Sequence, residues 1–529
     1  MNVKKSMLML CLLAGFSSAQ AWAEAPAESL EKMVERVKPS MVTIWDLRNL
    51  YFPTFKKQQE LAAYCKLKRE GKSEKKIKQE LAEDTLDLKA LFSAMVEGRK
   101  KRGSLISPAK LSTYTQKASM GYFLSGNGSG VVVDETHGYI LTNNHVVVQN
   151  ALSPTCEELE TEFDLLLVQF EDGRLYRAFV VGRDDKTDLA LLKLVDSPEN
   201  LSAVPFADSD ELQVGQASVA IGSPHGLDQT VTKGIISSLD RFSSNPSYKL
   251  YMQLGMENEQ YKKEERFITY IQTDAAINSG NSGGALLNLK GELIGINTAK
   301  HSKGESIGYA VPSNIVKGML AQFKEYGFGN FGALGAMGNQ INDGLRRSYK
   351  LANNIKGLFI TEVLPNSASA KAGLKVGDIL TSFNGKEISD PFAFRAMVAT
   401  SGANSQATIK LLSKDESGQY MPKTLYLTLD SRALDKKALA HQLISLPQFG
   451  FDLSFDPETK KGCVISIKDK QAKAYGFEDK DRITEVNGKP VGQFRECFME
   501  MERAYDIDQA DLHFTIDRKG LSRVVSIKQ

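Results

Sequence analysis

One serine set between glycines is the residue of this sequence best placed to do chemistry. Ser282 sits in Gly280-Asn281-Ser282-Gly283-Gly284, inside the run TDAAINSGNSGGALLNLKGELIGINTA at Thr273–Ala299. A serine hydroxyl attacks a carbonyl only when a base takes its proton and donors meet the oxyanion that forms. Glycines on both sides let the chain turn sharply without a Cβ clash, which leaves the hydroxyl exposed. The backbone N–H groups of Gly280, Asn281 and Ser282 could then converge as an oxyanion hole. Taken alone, the pentapeptide also reads as a Gly-rich hairpin with an incidental serine.

Two motifs upstream decide between these readings. YILTNNHVVV at Tyr139–Val148 places His145 just after a strand, and TDLALLKL at Thr187–Leu194 places Asp188 at the head of a buried one. A serine nucleophile needs an imidazole to take its proton and an acid to fix the tautomer of that imidazole. Of the six histidines, His137 lies in a Glu-Thr-His-Gly turn, and His225 and His301 lie in loops. His145 ends a strand inside an apolar frame that can hold it rigidly. The chain order His145, Asp188, Ser282 is one of the known orders for such a triad.

The elements that must position these residues are short strands. From Gly126 to Val311, alternating apolar runs are divided by Gly, Asp and Asn turns, a pattern of barrels or sandwiches. Gly126-Asn127-Gly128-Ser129-Gly130 leads into a strand and not a helix, so it is not a phosphate loop. Gly283–Leu287 and Leu293–Ala299 are expected to pair around Lys290-Gly291. Ahead of this region, Ser29–Lys38 has the spacing of an amphipathic helix, ended by Pro39, and Met41–Trp45 reads as a strand. The charged, helical stretch Phe55–Arg102 interrupts strand-like sequence and is read as an inserted loop. After Gly329 the composition shifts to a small mixed unit at Phe331–Asp430. A linker at Ser431–Pro447 and a second such unit at Phe449–Gln529 follow.

At 529 residues the chain is too long for one core. Its 66 basic and 64 acidic residues give a formal charge of +2. Met1–Ala23 reads as a secretory leader, with Lys4 and Lys5 before a short apolar run and Ala21-Trp22-Ala23 as the cleavage site. Without those two lysines the balance is neutral, which gives no support to a nucleic-acid or membrane-surface partner. An exported chain is expected. Of the five cysteines, Cys65, Cys156, Cys463 and Cys497 follow the leader with no metal-type spacing. Cys65–Cys156 and Cys463–Cys497 pairs, or four separate thiols, fit equally. No cofactor or metal motif was found, so none is expected.

GSGVVVD at Gly128–Asp134, LTNNHVV at Leu141–Val147, TDLALLKL, IGSPHGLDQTVTKGIIS at Ile221–Ser237 and the Ser282 run together resemble the HtrA (Deg) family of periplasmic serine proteases. The resemblance implies a mainly β fold with α+β modules: a chymotrypsin-like double β-barrel over residues 24–328, a PDZ domain over 331–430 and a PDZ-like domain over 448–529. It implies His145, Asp188 and Ser282 as catalytic residues and the Gly280–Ser282 backbone as the oxyanion hole. It puts Ile277, Asn278, Asn297, Thr298, Ala299 and Lys300 around the substrate pocket, with a preference for small or medium aliphatic side chains. Arg241 matches the family's basic residue that senses the first PDZ domain. The insertion at 55–116 takes the place of the family's long first loop. His225 stands where the family usually carries an aromatic.

In the first PDZ-like unit, Lys356-Gly357-Leu358-Phe359-Ile360 and AKAGLKVGDILTSFNGKEI at Ala370–Ile388 carry the likeness. A peptide is expected to add as a strand beside Phe359–Val363, with its carboxylate at the Gly357-Leu358 loop. Gly462-Cys463-Val464-Ile465 mirrors that strand in the second unit, where Gly-Phe-Glu-Asp-Lys-Asp departs from the usual pattern. The resemblance implies trimers, which can stack into cages, acting on unfolded proteins and peptide C-termini in the periplasm. Two function classes follow: an ATP-independent endopeptidase for misfolded envelope proteins, or a scaffold that holds unfolded chains without cutting them. The intact His145, Asp188 and Ser282 favour the first.

Overall fold

A computed structural model describes residues 28–49, 65–71, 122–152, 158–162, 165–195, 200–223, 229–242, 268–300, 306–388, 390–431, 443–446, 449–456, 462–468, 470–506 and 511–528. The leader lies outside these residues, as does nearly all of the 55–116 insertion. The first helix, α1 (Leu30–Val37), is capped by the Ser29 side chain and buries Met33 and Val37. Pro39 follows in a short 3-10 turn, as proline's missing N–H and fixed φ require.

Two closed barrels follow. The first comprises β1 (Met41–Asn49), β2 (Tyr122–Asp134), β3 (Tyr139–Thr142), β4 (Leu165–Phe170), β5 (Leu175–Asp184) and β6 (Leu189–Leu194). The second comprises β7 (Ala217–Gly222), β8 (Thr230–Phe242), β9 (Thr269–Thr273), β10 (Ala285–Leu287), β11 (Leu293–Lys300) and β12 (Gly308–Pro312). β10 and β11 form the expected hairpin, with Gly291 N–H closing on Asn288 O. Closure removes the free edges that short strands would otherwise expose. Each barrel has an apolar cluster of its own, around Leu192 or Leu286, and a third joins them, from Val131, Leu141 and Leu191 to Val219, Ile221, Leu287 and Val311. Helix α3 (Ser313–Tyr326) seals it with Val316, Met319 and Phe323, and Gly327 ends the helix in the left-handed conformation.

Two further sheets follow. In the first, β13 (Ala336–Gln340), β14 (Leu358–Val363), β15 (Ile379–Phe383), β16 (Gln406–Lys414) and β17 (Tyr420–Thr428) lie in that spatial order, with helix α4 (Pro391–Thr400) across them. In the second the order is β18 (Leu443–Leu446), β19 (Phe451–Ser454), β20 (Cys463–Ile467), β21 (Arg482–Val486), β22 (Asp511–Arg518) and β23 (Leu521–Lys528), with helix α5 (Phe494–Asp506). The stretch expected to be a pure linker therefore supplies a strand, β18.

The second sheet unit packs on the barrels. Arg495 donates to Val180 O at 3.3 Å and Phe498 meets Phe179 edge-on at 6.3 Å. Tyr326 and Phe328, at the end of the barrel region, are buried in the core of this unit beside Phe449, Phe455 and Phe494. Cys65 is disulfide-bonded, and Cys156 lies outside the described residues. Cys463 and Cys497 are free and fully buried in the second unit, so that pair is not joined.

Candidate active site

The acid and the imidazole come from one corner of the first barrel. Asp188 heads β6 with φ at 54°, a left-handed conformation that an L-residue adopts only at a cost. Its neighbours hold it there: Asn143 Nδ2 donates to Asp188 O at 2.8 Å, and Asn144 N–H donates to the same oxygen at 3.1 Å. The turn after β3 forms a short helix, α2 (Asn144–Val147), anchored by buried Val146 and Val147. It carries His145, whose Nδ1 lies 3.0 and 2.9 Å from the two carboxylate oxygens of Asp188. His145 N–H also donates to Asp188 Oδ1 at 3.1 Å. Asp188 is 5 % exposed, whereas half of the imidazole faces out. With the proton on Nδ1 toward the acid, Nε2 is left as the basic nitrogen.

The serine comes from the second barrel. Asn281 N–H donates to Asn278 O at 3.0 Å, and Gly280 between them has φ at 98°. That is a type II turn, whose third residue needs positive φ and so favours glycine. Ser282 follows and donates its hydroxyl to Thr298 O at 3.2 Å. The hydroxyl of Thr298 in turn donates to Asp188 Oδ2 at 2.5 Å. Ser282, Thr298, Asp188 and His145 thus form one linked set across the two barrels. Gly283 has φ at 85°, and a Cβ there would sit 2.1 Å from Ser129 O. A Cβ on Gly284 would sit 2.2 Å from Ile221 O. Both positions therefore exclude a side chain.

The expected oxyanion donors need one correction. Asn281 N–H is spent inside the turn, on Asn278 O. The N–H groups of Gly280 and Ser282 donate to no described residue, which leaves them as the available pair. The expected pocket residues divide. Asn297 is fully buried and its side chain donates inward to Ala285 O at 2.9 Å, so it braces the β10–β11 hairpin and does not line a pocket. Thr298, 3 % exposed, serves Asp188. Ile277 belongs to the core of the second barrel, against Gly308, while Asn278 is exposed. The side chains of Ala299, Lys300 and Arg241 lie outside the described residues; their backbones pair with Tyr309, Gly308 and Tyr270.

The peptide-binding strand of the first sheet unit is also corrected. β14, which holds Leu358, Phe359 and Ile360, pairs with β13 on one side and β15 on the other. All three residues are buried, and an interior strand has no free edge for a peptide. With them, Lys356 and Gly357 lose the expected role. Among the described residues, the outer strand of this sheet next to α4 is β13. It follows Gly332–Gly335, whose first two residues pair with Ser431 and Asp430 and whose last carbonyl accepts from the Ser367 and Ser369 hydroxyls. In the second unit β20 is interior as well. The edge that corresponds to β13 is β19, and the chain's own β18 already pairs along it.

Among the described residues there is no group of three or more His, Cys, Asp or Glu side chains able to hold a metal, and no helix long and apolar enough to cross a membrane. Sequence reasoning missed Thr298 as the partner of Asp188, and missed Asn143 and Ser129 altogether. The only local signals for these were the polar residues Asn143 and Asn144 before His145 and the serine between Gly128 and Gly130.

Residues 128–296 match the family model for the trypsin-like peptidase domain, and 359–412 match that for the PDZ domain. The chain is 40% identical over 373 residues to the periplasmic serine endoprotease DegP of Salmonella typhimurium, covering 70% of each chain. It is 46% identical over 288 residues to DegP of Escherichia coli K12, covering 54% of each. It is 36% identical over 423 residues to the periplasmic pH-dependent serine endoprotease DegQ of the same organism, covering 77% of this chain and 83% of that one.

Proposed function

The chain belongs to the DegP and DegQ family of periplasmic serine endoproteases, and we propose from its site how it cuts and what it cuts. Ser282 is the nucleophile. As its oxygen bonds to the scissile carbonyl carbon, its proton passes to His145 Nε2, and Asp188 stabilises the imidazolium through Nδ1. The oxyanion lies against the N–H groups of Gly280 and Ser282. His145 then gives the proton to the leaving amine, which leaves an acyl-enzyme on Ser282. A water attacks the ester as His145 takes its proton, and the carboxylate product departs with Ser282 restored. The linked set of Ser282, Thr298, Asp188 and His145 carries this reading.

The substrates are unfolded or misfolded envelope proteins. Their apolar C-terminal peptides add as a strand along β13, the outer strand beside α4, by backbone hydrogen bonding. A cleaved leader ending at Ala23 delivers the protein to the periplasm. Protomers assemble as trimers through the barrel region, with α1 and β1 near the contact. Side chains of small or medium aliphatic type precede the cut, and Arg241 couples the first PDZ domain to the barrels. The intact triad favours cutting over holding alone. Casein digestion by the protein beside its Ser282→Ala variant tests the reading: the variant should lose several orders of magnitude of activity, because the triad acts as a unit. Cutting by Ser282→Ala at near wild-type rate would remove Ser282 from the mechanism. Light scattering that shows only an active monomer would remove the trimer.

A further inference from the structure

Ser129 lies in β2, in the first barrel, and is 1 % exposed. Its polar groups reach out of its own strand toward the nucleophile loop. Its N–H donates to Ser282 O at 2.8 Å. Its hydroxyl donates to Gly280 O at 2.6 Å and accepts from Ser223 N–H at 2.7 Å. Its carbonyl accepts from the Thr142 hydroxyl at 2.8 Å, which pins β2 to the end of β3 just before His145.

Ser129 fixes two peptide units of the nucleophile loop. The unit joining Gly280 to Asn281 is held at both ends, its carbonyl by the Ser129 hydroxyl and its N–H by Asn278 O. The unit joining Ser282 to Gly283 is also held at both ends, its carbonyl by Ser129 N–H and its N–H by Asn297 O at 2.8 Å. Between them lies the unit that carries Ser282 N–H, and next to the first lies the unit that carries Gly280 N–H. Both oxyanion donors are thus neighbours of planes that Ser129 fixes. Gly280 and Gly283 make this loop geometry accessible, yet glycines also leave it the most alternatives. An oxyanion site works only if its donors are aimed before the charge appears. We propose that Ser129 is a positioning residue: it removes the freedom that the two glycines introduce and registers the nucleophile loop of the second barrel against the first, which carries His145 and Asp188.

The proposal rests on Ser282 as nucleophile, and the test separates the two ideas. Ser129→Ala deletes the hydroxyl and keeps the N–H bond to Ser282 O; Ser129→Cys keeps a weaker donor of similar shape. Steady-state cleavage of a chromogenic peptide and the rate of labelling by a fluorophosphonate are measured on the full chain, with a thermal melt of each variant. Removal of an oxyanion donor itself lowers kcat about 10²–10³-fold, so a loosened donor pair should lower it about tenfold to a hundredfold in Ser129→Ala. The Cys variant should fall between, KM should stay nearly constant, and the pH of half-maximal activity should not move. Labelling rates should follow the same order. Failure of the wild type to be labelled at Ser282 would overturn the nucleophile reading. Equal kcat and labelling in wild type and variants, or a loss confined to KM, would overturn the role of Ser129 alone. Should the Ala variant fail to melt as a folded protein, a Cys variant with wild-type kcat would overturn it.

Discussion

The hydroxyl of Thr298 donates to Asp188 Oδ2 at 2.5 Å. Asp188 is buried, and a buried carboxylate depends on its donors to stay oriented and charged. Hydrogen bonds to charged groups contribute about 1.5–3 kcal/mol. Thr298→Val should therefore lower kcat by roughly tenfold to a hundredfold, since each 1.4 kcal/mol is about a factor of ten. Thr298→Ser should recover most of it. Steady-state kinetics on the two variants decide the matter, and a Val variant at full rate would reduce Thr298 to a packing residue.

Asp184 gives a pH dependence with an unusual sign. Burial, and then the charge of Asp185, push its pKa up to about 7, against hydrogen bonds from Thr187 and the charge of Lys186. Thr187 N–H and hydroxyl donate to it at 2.7 and 2.9 Å, and a Cβ on Gly329 would come within 3.0 Å of its Oδ1. Folding raises this pKa, so the folded protein holds the proton more tightly than the unfolded chain. The stabilisation is full below the ordinary value of 3.8 and is lost as pH rises through about 7. Asp184→Asn should flatten the fall in melting temperature between pH 5 and pH 8. Identical slopes in wild type and variant would show that the carboxyl titrates as it does in the unfolded chain.

The corrected edge of the first PDZ unit predicts where a peptide protects the backbone. With Ser282→Ala to prevent cutting, an apolar C-terminal peptide should slow hydrogen exchange along Ala336–Gln340. Phe359–Val363 should change little, because Phe359 already pairs on both sides and the rest of the strand is separated from the peptide by its pairing with β13. Protection centred on Phe359–Val363 would contradict the sheet order.

In the second unit, β18 lies antiparallel along β19, with Leu446 opposite Phe451, and occupies the edge a ligand strand would use. Replacing Leu443–Leu446 by a Gly-Ser segment of equal length should open that edge. Calorimetric titration of the full-length Ser282→Ala protein with the same peptide should then show an added binding event per chain. An unchanged stoichiometry would mean that β19 is unfit for peptides even when bare.

These outcomes also mark what sequence can and cannot carry. His145 and Asp188 were legible because each sits at the end of a strand whose apolar run announces it, and Ser282 because glycines crowd it. Short, turn-divided strands leave barrels and sandwiches open, and the family resemblance decides for the barrels. Edge and interior strands were not legible, because KGLF has the same composition whether or not another strand lies beside it. Pairing with β13 is a long-range fact that no local pattern encodes. The resemblance places Asn297 at the pocket by its position in the strand after Ser282, and position alone leaves its orientation open. A polar residue next to a functional loop gives no sign of which way it turns, and here it turns in to Ala285 O. In sequence Ser129 stands in a Gly-rich stretch that leads into a strand, and only the folded chain brings Gly280 and Ser282 to it.

The aromatic pair Tyr326 and Phe328 belongs by sequence to the end of the barrel region, yet it is buried against Phe449, Phe455 and Phe494. A shortened protein that stops after β17 would keep both barrels and the first PDZ unit and would strip the cover from those two rings. Each aromatic ring carries about 150–250 Å² of apolar surface, enough to make the fragment adhesive at the junction it was meant to isolate. Loss of activity after removal of the C-terminal unit would therefore report an uncovered seam before it reported a missing binding site. Substitution of Tyr326 and Phe328 by polar residues in the shortened form is the control that tells the two apart.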